Sequence, residues 1–320
     1  MNRPFIKWAG GKTRLMPELL SHLPAGDLLI EPFVGSASVF LNTNYRRYIL
    51  ADINWHLINM YRVAKNETTD FIARSRYLFE TCTEQSDYLK VRDLFNSLER
   101  SGVKTNYATQ LEMAALFLYL NRHGYNGLCR YNQSGAYNNP YASSKSVRYF
   151  PLQEILFFAE KANDTKALIM CADFKNTLKI ISGENPVIYC DPPYIPTSET
   201  ANFTAYHSSP FADAEHRELV DVLINANRIS GAQIVISNSD TETTREIYSA
   251  FNLHEVSVRR SISSNAASRA PAAEVIGVLK TCSGCGCHGG GICPDCGPVC
   301  GDATYNEMAA SGVFTDVEIA

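Results

Sequence analysis

A tetrapeptide, Asp191-Pro192-Pro193-Tyr194, follows the apolar run Pro186-Val187-Ile188-Tyr189-Cys190. The run reads as a buried parallel strand, which delivers a carboxylate and an aromatic ring to the carboxyl edge of a sheet, where α/β folds bind ligands. Each proline removes a backbone donor, so no amide within the tetrapeptide takes up the carbonyls of Asp191 and Pro192. A row of acceptors beside a flat ring suits a planar group with an exocyclic NH2. Its hydrogens would go to the Asp191 carboxylate and the Pro192 carbonyl while Tyr194 stacks on its face. A nucleobase amine is such a group. The same four residues also serve as a proline-stiffened turn closing a strand, and alone they do not separate the two readings.

Other residues point to a cofactor. Glu31-Pro32-Phe33-Val34-Gly35-Ser36 lies between a strand and a helix, where an α/β fold brings its backbone close to a ligand, and Gly35 is the close-approach residue. About twenty residues on, Asp52 ends a second strand, the place of an acid that holds ribose hydroxyls. Trp8-Ala9-Gly10-Gly11-Lys12-Thr13 is not a phosphate loop, because the first glycine of that motif would fall on Ile6. Trp8 is left as a stacking face and Lys12 as a cation for a carboxylate, or else as a buried Trp and a helix-start Lys. Chemistry through a cysteine nucleophile is disfavoured, since Cys190 lies inside the strand rather than in a loop.

Strand-like runs recur to position these groups: 28–30, 48–51, 167–171, 187–190, 233–237, 254–259 and 274–279, with helical patterns near 54–65, 152–161 and 214–229. That alternation predicts an α/β fold, and the crowding of the last two strands predicts an antiparallel hairpin at one edge. Between about 56 and 150 the pattern turns helical (69–77, 88–99, 108–120) and ends in an Asn/Tyr/Gly-rich loop, an inserted domain. The expected division is a discontinuous catalytic domain (1–55 and 151–280), a recognition domain (56–150) and a Cys-rich tail (281–320).

Charge is unevenly spread. The chain carries a net −4, yet residues 1–280 hold 29 basic and 28 acidic groups, a net of +1, because the tail has five acids and no Lys or Arg. Within 104–150, Lys104, Arg122, Arg130, Lys145 and Arg148 face only Glu112. A basic segment inside a near-neutral enzyme suits phosphate contact, and it equally describes a solvated loop. With neither a long apolar stretch nor a signal-type start, the expectation is a protein away from membranes, in the cytoplasm.

The ordered series Phe5–Lys12, Glu31-Pro32-Phe33-Val34-Gly35, Ala51–Asn54, Asn121–Asn132, Asp191–Tyr194 and Arg259–Asn265 resembles the Dam-type DNA adenine-N6 methyltransferases over roughly 5–280. The resemblance implies a Rossmann-like sheet that uses S-adenosylmethionine, contacted by Trp8, Lys12, Asp52 and Asp191, with Phe174 flanking the cofactor's adenine. It implies duplex DNA as partner and catalysis at Asp191, Pro192 and Tyr194 on a flipped adenine, whose extrusion costs a few kcal/mol. One departure is Ala37, where the family usually has glycine. Cytosine N4 stays an alternative, its amine being similar in geometry, as does a catalytically weak DNA-binding relative.

Sequence readout falls on Tyr125-Asn126-Gly127-Leu128-Cys129-Arg130. An Arg fork matches guanine O6 and N7 and a Leu can touch a thymine methyl, so Leu128 and Arg130 suit T beside a G paired to C. The resemblance assigns them that role, adds an apolar contact from Pro140 and a first-guanine contact from Lys7, and sets Tyr125 and Asn126 at the gap left by the flipped base. The implied target is GATC.

Past the resemblance, Cys282-x-x-Cys285-Gly and Cys293-x-x-Cys296-Gly form two knuckles suited to one structural zinc. Cys287, His288 and Cys300 are substitutes, and the short spacer leaves disulfides or an unstructured Gly-rich tail as alternatives.

Overall fold

Short runs rich in Val, Ile and Leu form a seven-stranded sheet in the order β3-β2-β1-β4-β5-β7-β6. They are β1 (Leu28–Glu31), β2 (Arg47–Asp52), β3 (Leu168–Cys171), β4 (Pro186–Cys190), β5 (Gln233–Ser239), β6 (Phe251–Val258) and β7 (Ala272–Leu279). A computed structural model describes residues 1–12, 15–102, 106–142, 149–181, 185–195, 211–258 and 272–280. The first five strands run parallel, and β7 is antiparallel to both β5 and β6. The expected edge hairpin is therefore present, with its second strand placed inside the first. β1 and β4 are buried along their whole length, as parallel strands covered on both faces must be.

Alternate residues of each strand point to opposite faces and so feed two buried clusters. Leu28, Ile30, Ile188, Ile234 and Ile236 join α8 (Phe174–Lys179), α9 (Asp213–Ser230) and α10 (Glu242–Ile247) on one face. Leu29, Leu50, Val187, Tyr189 and Val235 face α3 (Trp55–Asn66) and α7 (Leu152–Asp164) on the other. α1 (Met16–His22) and α2 (Ser38–Asn42) complete the sheet's flanks. α4 (Thr68–Thr81), α5 (Gln85–Ser101) and α6 (Tyr107–His123) form the helical insertion, and α3 packs against both α4 and α6 as well as the sheet. Hydrophobic burial thus runs without a break from the sheet into the insertion. No helix among the described residues is long and apolar enough to cross a membrane.

Helix ends follow side-chain chemistry. Asn54, Asn106, Asp173 and Thr241 each accept a backbone N–H of the first turn of α3, α6, α8 and α10. One end differs from expectation. α6 continues past Leu120 to His123, so Asn121 and Arg122 belong to its last turn rather than to the loop. Buried hydrogen bonds to distant backbone hold that turn, a cause that local pattern does not contain.

The N-terminal segment is anchored through aromatic contacts. Phe158 of α7 is fully buried and meets Phe5 at 5.3 Å, Phe40 at 5.5 Å and Tyr61 at 4.8 Å between ring centroids. Phe158→Ala should lower stability by about 3–5 kcal/mol, because three rings lose their common partner. Urea unfolding checks this, and a midpoint shift worth under about 1 kcal/mol would show that the cluster relaxes around the cavity.

Candidate active site

The turn after β1 is tied to its surroundings atom by atom. Val34 donates its N–H to the Ala51 carbonyl at 2.8 Å, and the Tyr61 hydroxyl donates to the Gly35 carbonyl at 2.7 Å. Gly35 donates to Asp52 Oδ2 at 3.2 Å, while Asn54 donates to Oδ1 at 2.9 Å. Burial pushes the Asp52 carboxyl up to about 6 against the pull of these amides. Gly35 has φ +45°, and a Cβ there would stand 3.1 Å from the Trp8 indole nitrogen, so the indole lies against the turn only because the residue is glycine. Ala37, where the resemblance implied glycine, is left-handed at φ 59° and fully buried. Strain of about 1–2 kcal/mol is opposed by about 0.8 kcal/mol from burying its methyl in the core.

Next to this turn stands an aromatic wall. Phe33 stacks on Phe174 at 5.9 Å, and Phe211 meets both edge-on. Glu31 closes β1 and is 2 % exposed, and its Oε1 has no hydrogen-bond partner among the described residues. Burial raises its pKa to about 8, opposed by an N–H from Phe40, and the nearby Asp191 charge raises it further. Lys161 balances it from α7. Burial lowers that amine to about 8; it donates to the Thr43 carbonyl and lies 5.2 Å from the Phe40 ring centre.

Asp191 leaves β4 at the sheet's reversal between β1 and β4, where helices on opposite faces part. Its Oδ1 accepts from Lys12 Nζ at 2.7 Å and from Ser237 Oγ at 3.2 Å. Ser237 is linked in turn to the Tyr189 hydroxyl at 2.8 Å. Lys12 also donates to the Tyr194 hydroxyl at 2.6 Å and to the Gly10 carbonyl at 3.3 Å, and it stands 4.4 Å from the Tyr194 ring centre. The Tyr194 hydroxyl donates in turn to Glu274 Oε2 at 2.7 Å. A continuous chain therefore runs from Tyr189 through Ser237, Asp191, Lys12 and Tyr194 to Glu274. Burial pushes the Asp191 carboxyl above its usual value, with Lys12 opposing, and burial holds the Tyr194 phenol far above its ordinary range.

The predicted readout residues gather elsewhere, in the loop that follows α6. Tyr125, Asn126, Arg130 and Pro140 are exposed, and Leu128 is half-buried. Their loop is stiff. Tyr125 donates its N–H to the Pro140 carbonyl at 2.8 Å, Asn138 donates to the Arg130 carbonyl at 2.9 Å, and the Tyr137 hydroxyl donates to the Leu128 carbonyl at 3.1 Å. α5 grips it through Tyr88, whose hydroxyl donates to the Asn139 carbonyl at 2.9 Å, and through Asn96, bonded to both backbone groups of Tyr137. His56 of α3 stacks on Tyr131 and meets its hydroxyl at 2.9 Å. Lys7 lies against this loop at Gly127, and its Nζ donates to the Arg122 carbonyl in the last turn of α6 at 3.3 Å.

Structure thus brings Trp8, Lys12, Gly35, Asp52, Phe174, Asp191, Pro192 and Tyr194 to one edge, and Lys7, Tyr125, Asn126, Leu128, Arg130 and Pro140 to one loop region. The four knuckle cysteines, Cys282, Cys285, Cys293 and Cys296, lie outside the described residues, as does the whole Arg259–Asn265 motif. Among the described residues no cluster of His, Cys, Asp or Glu is arranged to hold a metal ion. Ser237, Glu274, Tyr61 and Asn121 were not assigned from sequence. Ser237 had a signal, since Ser237-Asn238-Ser239 puts polar residues at the end of an apolar strand. Glu274 had none beyond being an acid in a strand.

A doubly wound sheet thus gathers carboxylates, an aromatic wall and the Asp191-Pro192-Pro193-Tyr194 turn at its reversal, the architecture of an α/β enzyme that binds its ligands at the carboxyl edge. Residues 8–262 match the family of D12 class N6 adenine-specific DNA methyltransferases. The DNA adenine methylase of Salmonella typhi is 45% identical over 282 residues, 87% of this chain and 96% of the relative. That of Serratia marcescens is 45% identical over 281 residues (87% and 99%), and that of Escherichia coli K12 is 44% identical over 283 (87% and 96%). The chain belongs to the D12 class of N6 adenine-specific DNA methyltransferases and is a DNA adenine methyltransferase. Cytosine N4 falls away as the target atom.

Glu31 makes stability depend on pH in a stated direction. Its folded pKa, about 8, exceeds the ordinary 4.5, so the folded chain binds the extra proton and loses stability as pH rises from about 4.5 to 8. Glu31→Gln does not titrate there. Its stability relative to the parent should therefore climb by about 2–4 kcal/mol between pH 5 and pH 8 and level off above. Urea unfolding at the two pH values measures it, and a difference that stays constant would place Glu31 near its ordinary pKa.

Proposed function

We propose that the enzyme moves a methyl group from S-adenosylmethionine to N6 of an adenine flipped out of duplex DNA, within GATC. The carrying observation is the Asp191 carboxylate, fixed at the reversal of the sheet between Ser237 and Lys12 and beside the Tyr194 ring. Bound S-adenosylmethionine supplies an electrophilic methyl on a sulfonium. The residues fit such a molecule: Asp52 for ribose hydroxyls, Phe33 and Phe174 as a flat wall, the unpartnered buried Glu31 Oε1, and Lys12 as a cation for its carboxylate.

On the base, Asp191 and the Pro192 carbonyl accept the two amine hydrogens, which localises the N6 lone pair and aims it. Both observed contacts of Asp191 go to Oδ1, so Oδ2 is the acceptor for the amine. Tyr194 stacks on the ring, and Glu274 holds its hydroxyl so that the ring plane is set before a base arrives. Catalysis is positioning and electrostatics with no covalent enzyme intermediate.

Residues 1–55 and 151–280 would form the catalytic domain, 56–150 the recognition domain, and the site of action would be the nucleoid in the cytoplasm. Arg130 would read the guanine paired to the last cytosine, Leu128 the thymine methyl and Lys7 the first guanine, with Pro140, Tyr125 and Asn126 against the remaining contacts and the vacated stack. The knuckle cysteines would hold one zinc, a reading that rests on their spacing alone and that metal analysis of the full chain tests.

Asp191→Ala should cut labelled-methyl transfer to a GATC duplex by about 10²–10³-fold or more while DNA affinity stays within a few-fold. Near-normal turnover would overturn the assignment of Asp191. Arg130→Ala should lose about 1–3 kcal/mol of discrimination at one base pair. Sequencing of methylated adenines in a host without such an enzyme decides the target: marks in another tetranucleotide refute GATC, and even weakening at all sites refutes base reading by Arg130.

A further inference from the structure

Asn121 is fully buried in the last turn of α6 and belongs to no step described so far. Its Oδ1 accepts the Lys7 N–H at 2.8 Å, and its Nδ2 donates to the Lys7 carbonyl at 2.7 Å and to the Gly127 carbonyl at 2.9 Å. One amide thus holds both backbone groups of Lys7, as a strand neighbour would, and with its second hydrogen holds the readout loop. The two backbones are also in contact. Gly127 has φ +64°, and a Cβ there would stand 2.2 Å from Lys7 Cβ, so the loop approaches Lys7 more closely than any other residue type allows.

We propose that Asn121 is a positioning residue for target recognition, setting the distance between the two readers of the outer base pairs, Lys7 on one side and Arg130 on the other. This rests on the assignment of Lys7 and Arg130 as base readers. The outer pairs of a four-base-pair site lie three steps of about 3.4 Å apart on DNA. A guanine fork works only within narrow hydrogen-bond geometry, so two readers carried 123 residues apart in sequence need one common reference. Loss of that reference loosens both ends together, which loss of either reader does not.

Asn121→Asp keeps the shape and the acceptor for the Lys7 N–H, but sets a carboxylate oxygen against the Lys7 and Gly127 carbonyls. Methylation rates would be compared on duplexes carrying the preferred site and each single-base change, for the parent, Asn121→Asp, Lys7→Ala and Arg130→Ala. Expected is a fall in discrimination of roughly five- to a hundredfold at both outer positions in Asn121→Asp, against a fall at one outer position each in Lys7→Ala and Arg130→Ala. An even loss of rate at all sites would show a merely structural amide and overturn the proposal. Loosening at one end only would overturn it as well, as would a Lys7→Ala variant that relaxes no position. Should Asn121→Asp fail to fold, Gly127→Ala forces the same separation and is read in the same way. If the parent prefers a site other than GATC, that target assignment fails by itself. The coupling is still decided by whether Asn121→Asp relaxes together the two positions that Lys7→Ala and Arg130→Ala relax separately.

Discussion

Carboxylates of Glu31, Asp52, Asp191 and Glu274 converge on one edge of the sheet, and the protein must keep them there although burial and mutual repulsion oppose it. Each is held differently. Asp52 is fed by two backbone amides, Asp191 by an ammonium and a hydroxyl, and Glu274 by a phenol. Glu31 keeps one oxygen without a partner among the described residues and is pushed toward its neutral form. The topology makes this convergence unavoidable. β1 and β4 lie side by side with helices diverging at their carboxyl ends, so whatever follows these strands shares one crevice.

Lys12 is the cation that reconciles the group. Its three hydrogens go to Asp191, Tyr194 and the Gly10 carbonyl, so it cancels charge and also fixes the relative position of the acid and the ring. A carboxylate and an aromatic delivered by one tetrapeptide would otherwise be free to move against each other. Here Lys12 on one side and Glu274 on the other clamp the Tyr194 hydroxyl, and Ser237 backed by Tyr189 clamps Asp191.

Most of this was legible in the sequence where the cause is local. The strands β1 and β4 and the tetrapeptide after β4 follow from apolar runs and short-range chemistry. Resemblance carried Phe174 and the readout loop. Illegible were the groups whose partners lie far along the chain: Glu274 opposite Tyr194, Ser237 beneath Asp191, and Asn121 against Lys7. The extension of α6 to His123 belongs with them, because its last turn is held by backbone over a hundred residues away. No periodicity encodes such contacts. The place of β7 inside β6 is likewise a matter of pairing, to which hydrophobic pattern is blind.

The N-terminal segment that carries Lys7, Trp8 and Lys12 has no stable seat of its own. Phe5 rests on Tyr61, Phe71 and Phe158, and Lys7 hangs from Asn121. This segment is made before α3, α6 and α7, and its seat is complete only when Phe158 of α7 has been made. Contacts of such long sequence separation are slow to close. Docking of this segment therefore waits on a helix about 150 residues further along, and a nascent chain halted before α7 would hold Phe5 without Phe158.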